Sequence, residues 1–338
     1  MSTKRNPSMF DVAERSGVSH QTVSRVLNNH KNVSERTRKK VLKAMEELGY
    51  RPNLVARALV TGKTATIGVL SHNTTLFGPA STLHSVQSAA REQGYKTSIY
   101  SLKSEDKDSI IAGIEQLKHD GVDGIVIIAP QIKGTKEVSA VIGRFPAVLV
   151  ENESTESLPS VNVDQFFGAY ELTKHLINLG HKSIAHISGP KDWYESQGRT
   201  KGYKKALAEY KLATNLVWEG DWSAHSGYEN TFKILKNKDI TAIFAGNDAM
   251  ALGSLKAIYE SGLKVPVDIS VVGFDDLPES SFFSPALTTA KQDFHAVGIQ
   301  ALEILLGLIN KSKSRMNIAI KPDVFIREST SEPKKSRS

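Results

Sequence analysis

The sequence predicts two kinds of domain: an N-terminal all-α helix-turn-helix headpiece, and an α/β core of two doubly wound subdomains with parallel sheets. Three observations predict this. Residues 9–48 contain three short amphipathic helical patterns separated by tight turns. From residue 66 onward, buried strand patterns alternate with helical patterns in two successive series, which is typical of parallel sheets. The chain of 338 residues is also too long for one small domain.

The second helical pattern begins at Ser19, a good N-cap residue whose hydroxyl can accept a hydrogen bond from the amide of Thr22. Val23, Val26 and Leu27 then recur at helical spacing and predict one buried face. A short helix with this cap and this apolar stripe is compatible with the second helix of a helix-turn-helix.

The opposite face of this helix carries polar groups that suit base recognition. His20 and Gln21 lie in its first turn, and Arg25 lies one turn further on. A recognition helix presents such residues to base edges in the major groove. A glutamine amide matches adenine, and the arginine fork matches guanine. Alone, this stretch would be more typical of an ordinary solvated helix face than of a recognition helix.

Helices predicted on either side of this one complete a small domain. The first helix ends at Gly17, so the turn before the second helix is very short. The apolar residues Phe10, Val12 and Ala13 line this first helix. The third helix is capped by Ser34, and its predicted core residues are Val41, Leu42, Met45 and Leu48.

Nearly all of the chain's basic excess lies in this region. Residues 1–63 contain thirteen Lys and Arg but only five Asp and Glu, whereas the whole chain has a net charge of +7. A basic segment joined to a nearly neutral body is typical of a phosphate-binding module such as a DNA-binding domain.

Asn53 can cap a helix of about two turns over residues 54–60. Such a short helix should not persist alone in water, because nucleation is costly and few hydrogen bonds follow it. We therefore expect it to form only against a partner surface.

The core pattern consists of two series of strands and helices. In the first series the predicted strands are 67–70, 97–102, 125–129 and 148–151, and the helices are 81–93, 107–119 and 135–143. In the second series the strands are 184–188, 216–219, 242–245 and 269–274, and the helices are 166–179, 199–210, 227–236 and 248–261. A helix to about Ile309 and a β-like stretch over 318–327 follow. Ligands of such sheets bind at the carboxyl ends of the strands, which here predicts a crevice between the two halves.

Several polar residues follow predicted strands, where this crevice should lie. They are Arg199, Trp222, Asn247, Asp248 and Asp275. Singly, the carboxylates could be helix caps, the arginine a surface charge and the tryptophan a core residue. Together they predict a sugar site, because carboxylate, amide and guanidinium groups pair with neighbouring hydroxyls while an aromatic face covers the apolar side of a pyranose.

The sequence gives no sign of a catalytic centre, a metal site or a cofactor. It has no cysteine, no apolar leader and no membrane-spanning run, so we expect a cytoplasmic protein without disulfides. His175 and His181 are expected to be structural. Gly62-Lys63-Thr64 ends like a phosphate-binding loop, but the glycine expected five residues earlier is Arg57. No nucleophile elbow or dinucleotide-binding loop occurs.

Fixed spacings across the headpiece resemble the LacI/GalR family of transcriptional regulators. They are Asp-Val-Ala at 11–13, Gly-Val-Ser at 17–19, Thr-Val-Ser-Arg-Val-Leu-Asn at 22–28 and Leu-Gly-Tyr-Arg-Pro-Asn at 48–53. The core carries further matches at 220–224, 247–253, 260–263, 268–273 and 291–294, so the resemblance covers about 9–328. It implies a headpiece over 1–52 and a hinge over 53–63. It also implies an effector-binding core over 64–328, with an N-subdomain of about 64–162 and 293–320 and a C-subdomain of about 163–290 and 321–328.

The resemblance implies the residues of both sites. Those expected to contact operator DNA are Ser19, His20, Gln21, Thr22, Ser24, Arg25, Asn28, Asn53, Ala56 and Leu59, the last as a minor-groove wedge. Those expected to contact the effector are His72, Leu76, Pro79, Glu151, Arg199, Trp222, Asn247, Asp275, Gln292 and Phe294. The resemblance thus implies a homodimeric repressor, released from a palindromic operator by a galactoside or related saccharide.

The effector pattern is incomplete in the first half of the core. His72, Ile128, Glu151 and Val163 differ from the galactoside-responsive pattern, and Trp193, Tyr194 and Glu195 fill a loop that is small and polar there. Three alternatives stay open. The effector could be a corepressor, the chain could be a sugar-binding transport protein, or Glu151 and Asp275 could act as a glycosidase pair.

The C-terminal segment bears on assembly. Residues 329–338 are polar, and nothing aliphatic or aromatic follows Ile326. This composition predicts a disordered tail and cannot supply the apolar seam of a coiled coil. We therefore expect a dimer and not a tetramer.

Replacing Arg25 with alanine should cost about 1–3 kcal/mol of binding free energy on the preferred operator and relax selectivity at one base pair. Lys40→Ala is the control: a lost phosphate contact should weaken binding to all sequences alike and reduce its salt dependence. Fluorescence anisotropy on specific and random duplexes measures both. Equal losses on the two duplexes for Arg25→Ala would mean that Arg25 contacts only the backbone.

Overall fold

The computed structural model describes residues 7–27, 30, 32–51, 62–72, 75–102, 104, 106–128, 135–152, 158–312 and 317–334. The chain divides into two compact units, Met1–Thr64 and Ala65–Ser338. The predicted hinge helix over 54–60 lies outside the described residues.

The first unit contains the three predicted helices. They are α1 (Met9–Ser16), α2 (His20–Leu27) and α3 (Glu35–Leu48). Ser8 and Asp11 form a reciprocal capping box at the start of α1, and Gly17 ends the helix in the left-handed conformation. The Ser19 hydroxyl accepts from the Thr22 amide at 3.2 Å, which confirms the predicted cap.

A small apolar core joins these helices. Its buried residues are Val12, Ala13, Val23, Val26, Val41 and Ala44. The prediction that Phe10 and Leu42 belong to it is wrong, because their side chains are 69% and 50% exposed. Leu42 is one residue beyond the buried stripe of α3, and Phe10 stacks instead on the ring of His20 with centroids 4.5 Å apart.

The N-terminal lobe of the second unit is a parallel sheet of six strands in the order β11-β5-β4-β3-β1-β2. The strands are β1 (Thr66–Ser71), β2 (Lys96–Ser101), β3 (Gly124–Ile128), β4 (Ala147–Val150), β5 (Ser160–Val163) and β11 (Asn317–Ile320). Its helices are α4 (Phe77–Glu92), α5 (Lys107–His119), α6 (Thr135–Ile142) and α11 (Phe294–Ile309). The inner strands are apolar on both sides because helices cover both faces.

The C-terminal lobe contains a parallel sheet of four strands in the order β7-β6-β8-β9. They are β6 (Ile184–Ser188), β7 (Val217–Glu219), β8 (Ala242–Ala245) and β9 (Ser270–Val272). Its helices are α7 (Gln165–Asn178), α8 (Tyr194–Glu209), α9 (Ala224–Ile234) and α10 (Asp248–Glu260). An antiparallel pair, β10 (Thr289–Lys291) with β12 (Asp323–Phe325), lies against α7.

The chain crosses between the lobes three times. It passes from β5 to α7, from β10 to α11, and from β11 to β12. The predicted β-like stretch over 318–327 is therefore two strands in different sheets, and β5 was not predicted as a strand. The strands β5, β11 and β12 are only three or four residues long, which gives little sequence signal.

The prediction of a disordered tail is wrong for residues 329–334. Ser329 is fully buried: its hydroxyl donates to the Val271 carbonyl at 2.6 Å and accepts from the Thr288 amide at 2.8 Å. The carbonyl of Ser331 lies 2.9 Å from the His181 ring. A polar segment is ordered here because it supplies hydrogen bonds to buried backbone groups beside β9. No helix in the described ranges is long and apolar enough to cross a membrane.

Deleting residues 329–338 should lower the free energy of unfolding by about 2 kcal/mol or more, because the Val271 and Thr288 backbone groups lose buried partners. Deleting only 335–338 leaves all of these bonds and is the control. Denaturant unfolding followed by circular dichroism compares the two. Identical midpoints would mean that the segment contributes nothing to stability.

Candidate effector and DNA sites

The exposed face of α2 carries the predicted base-reading residues. Gln21 and Arg25 are exposed, as is the cap residue Ser19. His20 is half-buried because it stacks on Phe10. Apolar residues anchor the other face of the helix, so these polar groups project from a fixed support.

Two further predicted DNA contacts, Thr22 and Ser24, are half-buried on the same helix. The remaining four, Asn28, Asn53, Ala56 and Leu59, lie outside the described residues. The six described residues lie in or next to a helix whose opposite face is anchored, and their contact with DNA stays a prediction.

A cavity of about 350 Å³ lies between the two lobes of the second unit, at the carboxyl ends of their strands. This is where doubly wound sheets hold ligands. Nine of the ten predicted effector residues line it: Leu76, Pro79, Glu151, Arg199, Trp222, Asn247, Asp275, Gln292 and Phe294. The loops after β4, β7, β8 and β9 supply Glu151, Trp222, Asn247 and Asp275 respectively.

The C-terminal wall is held rigidly around Trp222. Asn247 caps α10 through its Oδ1, which accepts from the Met250 amide at 2.8 Å, and its Nδ2 donates to the Trp222 carbonyl at 3.1 Å. The Trp222 ring lies directly on the backbone of Gly189, where any Cβ would overlap it. Trp193 packs edge-on against the same ring at 5.7 Å. The result is a fixed aromatic corner.

Arg199 lies at the centre of a buried polar network. Its guanidinium donates to the Gly246 carbonyl at 2.6 Å, to Gln165 Oε1 at 2.9 Å and to Asp275 Oδ1 at 3.3 Å. The group also lies over the Phe274 ring, 3.9 Å from its centre. Each of the three guanidinium nitrogens therefore donates one hydrogen bond, which fixes the plane of the group.

The network continues into the N-terminal lobe. Gln292 donates to Asp275 Oδ1 at 2.6 Å and accepts from Gln165 at 2.8 Å. Gln165 also donates to Glu151 Oε2 at 3.0 Å. Gln165 begins the helix that follows the first crossover, and Gln292 lies in the second crossover, so the hydrogen bonds join the lobes where the chain passes between them.

Burial shapes the electrostatics of the cavity. Desolvation raises the pKa of Glu151 to about 7, although hydrogen bonds from Val163 and Gln165 partly oppose the shift. Desolvation and the nearby Glu151 raise the pKa of Glu195 to about 8. The pKa of Asp275 is also raised by burial, against the influence of Arg199.

Asp248 is a supporting residue and does not line the cavity. It is fully buried, and its carboxylate accepts from Ser280, Thr289 and the Leu277 amide. Burial raises its pKa to about 7. These bonds tie the loop after β9 to the start of α10, and the helix cap is Asn247.

Two sequence predictions need correction here. His72 does not line the cavity, because the start of α4, including Phe77 and Gly78, forms that wall. Helix α8 begins at Tyr194 and not at Arg199, so it adds a first turn to the site.

That extra turn contains lining residues missing from the predicted contacts. They are Trp193 and Glu195, joined by Thr75, Phe77, Gly78, Thr82, Ile128, Ser223, Ala249 and Leu277 from elsewhere. The sequence spacing could have predicted Glu195 as a lining residue, because it precedes Arg199 by four residues and so lies on the same helix face. Within the described ranges, no group of three or more His, Cys, Asp or Glu residues could hold a metal ion.

A helix-turn-helix unit followed by a two-lobed core with a cavity between its lobes defines a class of protein, the ligand-responsive transcriptional regulators. Residues 8–53 match the lacI family of bacterial regulatory proteins, and residues 173–330 match the periplasmic binding protein-like domain. The chain belongs to the LacI family of DNA-binding transcriptional repressors.

Individual relatives agree over nearly the full length. The chain is 35% identical to the lactose operon repressor of Escherichia coli K12, covering 96% of this chain and 91% of that protein. It is 38% identical to the HTH-type transcriptional repressor PurR of Histophilus somni, covering 94% and 97%. A solved lac repressor dimer bound to operator and the anti-inducer ONPF superposes with a TM-score of 0.86 at 34% identity, covering 97% of this chain and 100% of that one.

Proposed function

We propose that the protein is a homodimeric repressor that binds a near-palindromic operator and is released when a saccharide binds between the lobes of its core. The observation that carries this proposal is the composition of the cavity, in which fixed aromatic faces meet a buried network of carboxylates, amides and one guanidinium.

The chemistry of the cavity favours a sugar. Trp222 and Phe294 offer aromatic faces for the C–H side of a pyranose ring. Asp275, Asn247 and Arg199 line the same cavity, and their polar groups can pair with neighbouring hydroxyls. A volume of about 350 Å³ is at the small end of ordinary ligand sites and suits a mono- or disaccharide.

The hydrogen-bond network would connect effector binding to the crossovers between the two lobes. A sugar in contact with Glu151 on one side and Asp275 on the other would contact both lobes. It would also contact Gln292, which lies directly at a crossover. Ligands that bind between two lobes commonly change their relative orientation by hinge motion. We propose that this change separates the two hinge segments of the dimer, residues 53–63 of each protomer, and thereby lowers operator affinity.

A dimer suits this mechanism, because two headpieces reading two half-sites explain a palindromic operator. The dimeric state of the solved lac repressor supports the same assembly for this chain.

The second candidate is a corepressor mechanism, in which the effector raises operator affinity. The 38% identity to PurR, against 35% to the lactose operon repressor, leaves room for an effector that is not a sugar, and a purine base is the contrasting ligand to test. The several carboxyl groups in the cavity favour a ligand rich in hydrogen-bond donors, as sugars are. A transport role suits the core alone, but it leaves the basic headpiece without a function.

Selection of sites from a random duplex library by the full-length protein would supply the operator. Anisotropy with lactose, cellobiose, melibiose, maltose, hypoxanthine and guanine would then reveal the effector. The proposal expects at least one sugar to release the operator. Tighter operator binding with a purine would support the corepressor mechanism instead.

The variant Asp275→Asn should lower sugar affinity at least tenfold, because a charge-assisted hydrogen bond is worth about 1.5–3 kcal/mol. Asparagine tolerates the positive φ of 114° at this position and can still accept from Arg199 and Gln292. Operator affinity without sugar should stay within twofold, giving a repressor that binds but is not released.

The neighbouring variant Asp276→Asn is the matched control. Asp276 also has positive φ, but it pairs with Arg327 at 2.7 Å and does not line the main cavity. Calorimetry and anisotropy on both variants make the comparison. Unchanged sugar binding by Asp275→Asn would show that the effector binds elsewhere.

A further inference from the structure

One buried carboxyl group in the cavity has no role in the network that joins the lobes. Glu195 lies in the first turn of α8, is 9% exposed and lines the cavity. Among the residues that the structure describes, its Oε2 has no hydrogen-bond partner. A buried polar atom without a partner costs free energy, so such an atom at a cavity wall points to a ligand.

None of the charged groups around Glu195 forms a hydrogen bond with its Oε2. Glu151 and Asp275 face it from the loops after β4 and β9, and Arg199 faces it from the next turn of its own helix. The Arg199 guanidinium already bonds to Gly246, Gln165 and Asp275. The lining residues from α4, including Phe77 and Pro79, carry no charge. The cavity thus has three carboxyl groups against one cation.

Trp222 provides the complementary group. Its indole Nε1–H is also buried and, within the described part of the chain, without an acceptor. Two residues that line the cavity, Glu195 and Trp222, thus hold one acceptor atom and one donor atom without a partner among the described residues. Hydroxyl groups both donate and accept, so a polyol can satisfy both atoms.

This inference rests on the proposed function and deepens it. We propose that Glu195 recognises hydroxyl hydrogens of the sugar effector as a carboxylate, and that its proton passes to solvent when the sugar binds. Sugar binding, and therefore release of the operator, is then coupled to pH.

The direction of the coupling follows from the two states of the carboxyl group. In the empty cavity, burial and the nearby Glu151 raise the pKa of Glu195 to about 8, so the group holds a proton at neutral pH. Hydroxyls that donate to its oxygens favour the ionised form and lower the pKa in the complex. Sugar affinity should therefore rise with pH between the lowered pKa and about 8, and level off above it. A ligand that presents an acceptor, such as a carbonyl oxygen, would favour the protonated acid and reverse the trend.

Titration calorimetry of the full-length protein with lactose, cellobiose, melibiose and maltose tests this directly. At pH 7, titrations in buffers of different ionisation enthalpy report the number of protons released. We expect up to about one proton from Glu195, and a Kd that falls by up to about tenfold for each pH unit between pH 6 and pH 8. Release beyond one proton would come from Glu151, whose pKa is raised to about 7.

Glu195→Gln keeps the shape of the side chain but cannot ionise. The variant should release fewer protons on sugar binding, by the number that Glu195 releases in the wild type. Its Kd for the sugar should depend less on pH near pH 8. Glu229→Gln removes an exposed carboxyl on α9, outside the cavity, and should leave both unchanged. If Glu195→Gln binds no sugar, the wild-type titrations still test the proposal, because zero proton release or proton uptake overturns it.

The outcomes separate this proposal from the proposed function. A sugar that releases the operator with no proton release, or with proton uptake, overturns the role of Glu195 and leaves the repressor mechanism intact. Proton release that persists in full in Glu195→Gln assigns the ionisation to another group and also overturns the role. If none of the four sugars binds or releases the operator, the proposed function fails and this inference fails with it.

Discussion

The buried ion pair between Arg199 and Asp275 is the interaction on which the core depends. Both side chains are at least nine-tenths buried, and their polar atoms approach to 3.3 Å. Removing one partner of such a pair typically costs 3–5 kcal/mol, because the other charge stays buried and unpaired. Gln165 and Gln292 extend the pair to the crossovers between the lobes. The same bonds that shape the cavity therefore connect its walls to the hinges.

In the proposed function, this arrangement would couple binding to lobe orientation. Hydroxyl groups that enter the cavity would compete for atoms that already form hydrogen bonds between the lobes. The positive φ angles of Glu151, Trp222 and Asp275 are consistent with such a site. Non-glycine residues hold that conformation mainly where surrounding contacts enforce it, as they do at ligand sites.

The sequence predicts most of this fold because its signals are local and regular. A capping residue such as Ser19 predicts the start of a helix, and a continuous apolar run such as β3 predicts a buried strand. In both cases the pattern is complete within a few residues. The strand-end rule then places Asp275, Asn247 and Trp222 together without any knowledge of distances. The family resemblance, and not this rule, supplied Leu76, Pro79, Gln292 and Phe294, which line the same cavity.

The predictions failed where structure depends on distant partners. Ser329 is ordered because backbone groups near β9 need hydrogen bonds, and nothing in the tail itself indicates this. Strand β5 is a strand because β4 and β11 flank it. Glu195 was missing from the predicted contacts because its importance lies in an absence of partners, which only the folded environment reveals. His72 follows β1 as expected, but α4 takes the cavity wall that it was predicted to occupy.

The central claim is that sugar and operator oppose one another through this core. Its most direct test measures the affinity of the releasing sugar twice by calorimetry, on the free protein and on the preformed operator complex. Linkage requires the operator to weaken sugar binding by the same factor by which the sugar weakens operator binding. The account predicts equal factors, both greater than one. Equal sugar affinity in the two states, or tighter binding to the operator complex, would contradict it.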